Sequence, residues 1–139
     1  ASSDNVLRGG LTPKHVDVPE LLRVLDFGGG PAKILRPRAV DANEAVYDTP
    51  AREFRLSRIA VSGSVQRAVL GPEILLVTEG EISATAGRPG RGAELTVPRG
   101  RSAFVPASTA SYALAGEGTV YRATTNLPRE ILEGAPELT

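Results

Sequence analysis

Asp4, Arg8 and Lys14 are the residues of this 139-residue chain best suited to do chemistry. They lie in the run Ser3-Asp4-Asn5-Val6-Leu7-Arg8-Gly9-Gly10-Leu11-Thr12-Pro13-Lys14-His15-Val16-Asp17, which sets an acid, an amide, an arginine and a lysine around two glycines and a proline. The planar donors of a guanidinium match the paired oxygens of a phosphate or an enediolate, and a lysine brings a point charge to the same anion. If residues 4–8 form a strand, positions 4, 6 and 8 share one face, because the side-chain period is two. Residue types alone also allow a plainer reading, with Arg8 and Lys14 as solvated surface charges and Asp4 as a turn or cap acid.

The ordered run resembles the signature of the type I mannose-6-phosphate isomerases, zinc-dependent enzymes that interconvert mannose 6-phosphate and fructose 6-phosphate. The resemblance implies that Asp4 and Asn5 match the acid–amide pair preceding the family's arginine. Arg8 then matches the active-site arginine, which acts at the substrate's reacting end or its oxyanion, and Lys14 matches a lysine of the same pocket. Asp17 closes the motif, and its capping position gives it a structural role. Gly9 stands where the family usually has alanine, which loosens the turn without touching the chemistry. The implied aldose–ketose isomerisation moves a proton between adjacent carbons through an enediol(ate). It needs a base, stabilisation of the developing oxyanion and a clamp for the phosphate; a carboxylate such as Asp4 can orient hydroxyls or help to open the sugar ring.

The same resemblance implies a zinc ion held by glutamine, glutamate and two histidines, all expected upstream of Ala1. A missing N-terminal catalytic portion is therefore an expected partner alongside the phosphosugar, and the isolated chain is expected to be inactive. A zinc site wants three or four converging ligands. His15 is the only histidine and there is no cysteine, so His15 reads as a turn or surface residue and no metal ligand is assigned within the chain. The absence of methionine, including at position 1, is read as the mark of a processed, cleaved or partly expressed piece.

The elements that must position these groups begin with a short strand, a Gly-Gly turn and an extended segment over 1–16, assigned to the catalytic domain. Asp17-Val18-Pro19-Glu20 is a helix start: the acid can cap the first turn, proline sits where no donor is needed, and a glutamate follows three residues on. Leu21, Leu22 and Leu25 then form an apolar stripe. The spacing predicts a helix over 18–26, with Gly28-Gly29-Gly30 as its C-cap and linker, and the remainder of 17–50 as a connector. From 51 to 127 the texture is β-rich. Phe54 and Leu56 alternate, then Ile59 and Val61 on a shifted phase, which predicts a bulge near Arg58. Short runs at 65–70, 73–79, 81–86, 93–97, 102–106, 109–115 and 119–124 are punctuated by glycine and proline. Tyr47, Tyr112 and Tyr121 are expected to pack with their hydroxyls at the rim, and 128–139 reads as a tail.

Many short strands and almost no other helix predict a mainly β fold, a sandwich or barrel. Glu79-Gly80-Glu81, followed by Pro98-Arg99-Gly100-Arg101-Ser102-Ala103-Phe104-Val105-Pro106-Ala107, resembles the turn pattern of a cupin jelly roll without its metal-binding histidines. The expectation is a degenerate, metal-free cupin-like barrel after a short strand and one helix.

Sixteen basic and sixteen acidic side chains cancel, leaving no general positive field for nucleic acid or an anionic membrane surface. The apolar runs are too short to span a bilayer as helices. The absence of cysteine excludes disulfides and thiolate metal sites and fits a cytoplasmic enzyme. A second class of function competes with the isomerase part, namely a stand-alone cupin-like module that binds a sugar or another small ligand in a cavity of its own.

Overall fold

In this computed structural model the residues described are 10–11, 13, 15–31, 34–87, 92 and 94–126. The chain divides into two compact units, 1–34 and 35–139.

The first unit contains α1 (Val18–Val24). Asp17 Oδ1 accepts from the Glu20 amide at 3.0 Å, satisfying one of the donors a helix start leaves free. Glu20 pairs with Arg23 one turn later. The helix stops at Val24, earlier than expected, because Leu25 turns to extended geometry (φ −70°, ψ 133°). The Gly28–Gly30 run is therefore not the C-cap; the cap amide of Leu25 closes onto the Leu21 carbonyl at 3.1 Å. No residue of α1 is buried.

The second unit is one antiparallel sheet. Its strands are β1 (Arg38–Ala39), β2 (Glu44–Tyr47), β3 (Arg55–Ala68), β4 (Glu73–Ala86), β5 (Glu94–Pro98), β6 (Ser102–Val105) and β7 (Ser111–Thr124). The order is β1-β2-β3-β7-β4-β5, with β6 on the first half of β4 and β5 on its second half. The mainly β expectation holds. The stretch read as connector nevertheless contributes β1 and β2, because Glu44 and Val46 put their side chains on the buried face. The strand expected within 1–16 lies largely outside the described residues.

Three strands are longer than the sequence suggested. The runs 73–79 and 81–86 are one strand, as are 109–115 and 119–124, and β3 absorbs the start of 65–70. The glycines read as punctuation are bends inside paired strands: Gly63 faces Gly116, and Gly80 faces Gly118. A Cβ on Gly80 would lie 1.9 Å from the Glu117 carbonyl oxygen, and one on Gly118 would lie 2.1 Å from that of Glu79. Only glycine lets the backbones approach so closely. No bulge occurs at Arg58, where β3 and β7 pair without a slip from Arg55 to Ala68. The bulge lies instead in β4, between Val77 and Glu79. The phase change that suggested otherwise arises because Ile59 and Val61 face inward while Phe54 and Leu56 are apolar residues outside the core.

The glycine bends curl the sheet onto its own inner face. Ser57 and Ala68 are 11 residues apart on β3 and would be separated by roughly 36 Å on a straight strand. Both nonetheless lie within hydrogen-bond range of the single guanidinium of Arg122. Between the curled halves sits a core of Ile59, Val61, Val65, Leu75, Val77, Ile82, Val97, Leu114 and Val120. After β5, the Pro98-Arg99-Gly100 turn (Gly100 φ 78°) returns the chain as β6, held by the Gly100 amide on the Val77 carbonyl at 2.8 Å.

Candidate functional site

Of the residues singled out for chemistry, Asp4, Arg8 and Lys14 lie outside the described residues. His15 is exposed, and Asp17 is a helix cap. What the fold does bring together is a buried ionic cluster that sequence reasoning missed. Glu44, Ser57, Glu73 and Arg122 are all buried, with Arg67 and Tyr112 against them.

Arg122 is its centre. Its Nη2 donates to Glu44 Oε1 at 2.5 Å, its Nη1 stands 3.8 Å from Glu73 Oε1, and its Nε reaches Ser57 Oγ at 3.4 Å. Glu73 accepts from the Tyr112 hydroxyl at 2.9 Å and from the Leu70 amide at 3.0 Å. Arg67 Nε lies 3.1 Å from Glu44 Oε2, within ion-pair distance though not aligned as a hydrogen bond. Its Nη2 donates to Asp41 Oδ1, also at 3.1 Å. Burial by itself would lower the Arg122 pKa, but Tyr112, Glu44 and Glu73 outweigh it and raise it. The Asn43 amide leads in holding Asp41 below the usual carboxylate range, against a smaller opposing effect of burial and helped by the Glu44 amide and Arg67.

This cluster is internally neutralised. Two guanidiniums meet two buried carboxylates, and Glu44, Arg67 and Arg122 line a cleft of about 300 Å³ together with Asp41, Arg55 and Gln66. It holds the curled halves of the sheet in register, and its two hydroxyls, Ser57 and Tyr112, have no imidazole among the members to activate them. Tyr112 is its most informative member, and contrary to expectation its hydroxyl is buried away from the rim. Tyr47 and Tyr121 do stack near the surface, ring centres 6.5 Å apart. Burial, then the Glu73 carboxylate, push the Tyr112 hydroxyl above the ordinary tyrosine range. A raised folded pKa means that the unfolded chain loses this proton first. The stability it confers is present below pH 10 and is lost as pH rises from about 10 towards the folded value, by up to about 1.4 kcal/mol per pH unit. Denaturant midpoints followed from about pH 9 to 11 should fall more steeply for the native chain than for Tyr112→Phe.

A small apolar pocket of about 140 Å³ opens beside the core, lined by Leu75, Leu95, Ala103, Phe104, Val105 and Tyr112. Ligand sites of drug-like size run to roughly 300–1,000 Å³ and carry a few convergent polar groups. This pocket falls short on volume and is too apolar for a sugar. Among the described residues no group of three His, Cys, Asp or Glu side chains could hold a metal ion.

No family model matches the chain. Mannose-6-phosphate isomerase of Bos taurus is 35% identical over 116 residues, covering 78% of this chain and 27% of that protein. The Escherichia coli (strain K12) mannose-6-phosphate isomerase is 34% identical over 128 residues, covering 88% and 31%. A crystal structure of a mutant phosphomannose isomerase from Salmonella typhimurium superposes with a TM-score of 0.74 at 29% identity, over 91% of this chain and 32% of that one. The Salmonella typhimurium mannose 6-phosphate isomerase solved with its substrate (f6p) and zinc gives 0.71 at 28% identity, over 87% and 30%. The chain thus spans between 27% and 32% of the length of these relatives. By sequence over most of its length, and by a curled sheet that superposes on theirs, the chain belongs to the mannose-6-phosphate isomerase family.

Proposed function

We propose that the chain is the C-terminal part of a zinc-dependent mannose-6-phosphate isomerase, which interconverts mannose 6-phosphate and fructose 6-phosphate through an enediol(ate). One observation carries the reading: 34–35% identity to such enzymes over most of the chain, joined to superposition on a relative solved with f6p and zinc. In this reading the sheet is a degenerate cupin-like jelly roll that supports the catalytic domain, and the enzyme works in the cytoplasm. Among the described residues no helix is long and apolar enough to cross a membrane.

The described residues do not fit zinc. His15 stands without a neighbouring set of ligands and the buried carboxylates are already paired with arginines, so the metal ligands are assigned to the part of the enzyme upstream of this chain. The contribution of the chain itself is electrostatic. Arg8 sets its guanidinium against the oxyanion that develops as the carbonyl moves between adjacent carbons. Lys14 adds a fixed positive charge for the substrate's anionic groups, and Asp4 orients hydroxyls. The competing sugar-binding module draws no support from the small apolar pocket.

The test is to extend the gene upstream and assay zinc-dependent turnover of mannose 6-phosphate. Arg8→Ala in the longer protein should lower kcat by about 10²–10³, the typical effect of losing one oxyanion donor. Its urea midpoint should stay unchanged. Undiminished turnover would remove Arg8 from the mechanism, and a longer protein that folds without isomerase activity would remove the reading altogether.

A further inference from the structure

All three phenylalanines of the sequence lie outside the core: Phe27 in the helical unit, Phe54 and Phe104 in the sheet unit. In the sheet unit the two belong to an apolar field on the outer face. Phe104 is 66% exposed and pairs across β6–β4 with Ile74, itself 52% exposed. On its other side Ile74 faces Ala123 of β7, which faces Leu56 of β3. Two grooves meet at Phe54, which is 49% exposed. One, of about 270 Å³, runs past Pro72, Ile74 and Phe104, and the other, of about 220 Å³, runs past Leu35, Tyr47 and Leu56. Isolated apolar side chains on a surface need no explanation, but a field continuous over four strands marks an interface.

Two facts say what covers it. The sheet unit begins at Leu35, whose side chain lines the second groove. Relatives carry about twice the length of this chain beyond what it matches, since it spans only 27–32% of them. We propose that the Phe54–Ile74–Phe104 face is the surface on which the sheet unit docks against the catalytic portion of the same polypeptide, meeting an apolar surface poor in charge. The inference rests on the isomerase reading and adds to it the face used.

Cysteine reactivity tests this directly, because the chain contains no cysteine of its own. Phe104→Cys is compared with Ser64→Cys, an exposed site at the bend of β3, by maleimide labelling read peptide by peptide. In the 139-residue chain the two should react alike. In the upstream-extended protein Phe104→Cys should react at least about tenfold more slowly, as expected for a site reached only by local opening. Equal rates in both proteins overturn the proposal. Slow labelling already in the 139-residue chain overturns it in favour of a segment of that chain, and protection lost on dilution overturns it in favour of a second copy. Should the cysteine variants fail to fold, hydroxyl-radical oxidation of Phe54 and Phe104 in the two unsubstituted proteins gives the same comparison. Turnover of mannose 6-phosphate is measured alongside. Protection without turnover leaves the docking face standing and removes the isomerase reading, whereas turnover without protection does the reverse.

Discussion

Arg122→Met lowers the stability of the sheet unit by about 3–5 kcal/mol, read as a drop in the urea midpoint at unchanged slope. The methionine fills much of the space, so little of the loss comes from a cavity. The loss comes from leaving Glu44 and Glu73, both buried, without the guanidinium that faces them at 2.5 and 3.8 Å. An exposed pair such as Arg38–Asp48 supplies the contrast. Breaking that pair should leave the midpoint nearly unchanged, because water screens both partners already. Replacing Glu44, Glu73 and Arg122 together by apolar residues of similar volume, with Tyr112→Phe, should recover part of the deficit, since the one cluster charge left, Arg67, keeps its pair with Asp41. A fall below about 1 kcal/mol for Arg122→Met would mean that water reaches the cluster and that the sheet is held by its apolar core alone.

Gly80→Ala is the second large effect, at about 2–5 kcal/mol, and two neighbouring glycines separate its causes. Gly80 has φ 72° and a would-be Cβ 1.9 Å from the Glu117 carbonyl oxygen, so both backbone strain and collision act there. Gly63 has φ 82° with nothing within 4 Å, and Gly63→Ala should show the strain alone, about 1–2 kcal/mol. Gly118 has no positive φ but would place its Cβ 2.1 Å from the Glu79 oxygen, and Gly118→Ala should show the collision alone, about 1–3 kcal/mol. Thermal or urea unfolding of the three variants should rank Gly80→Ala as the most damaging. A Gly80→Ala protein as stable as the parent would mean that β4 and β7 separate at the bend without loss.

These positions show what could be read from the residues and what could not. The helix start was legible because its cap chemistry is local: Asp17, Pro19 and Glu20 act within one turn. So was the Pro98-Arg99-Gly100 turn, where Gly100 takes a positive φ. Glycines within β4 and β7 misled because a glycine that ends a strand and one that lets two strands touch look alike along the chain. The distinction lies in a partner dozens of residues away, as with Gly80 and Gly118. The ionic cluster was overlooked because charged residues in strands ordinarily face water. A signal for it existed. Glu73 shares the parity of Leu75 and Val77, and Arg122 that of Val120, so each falls on the face that alternation assigns to the core. Opposite charges at core parity on two different strands call for a pair between them. The candidate site was legible only through the family pattern over residues 3–17, since Asp4, Arg8 and Lys14 taken singly are unremarkable surface types.

The place of β7 in the sheet has a consequence for how the molecule is made. It is the last of the described strands to leave the ribosome, yet it lies between β3 and β4, which do not pair with each other. A nascent chain can form the β4–β5–β6 group and the β2–β3 hairpin early, but it cannot join them until synthesis has passed Thr124. Until then two long strands wait with open edges, each able to capture a stranger. A chain stopped short of Ser111 should accordingly accumulate as insoluble material rather than as a smaller folded protein.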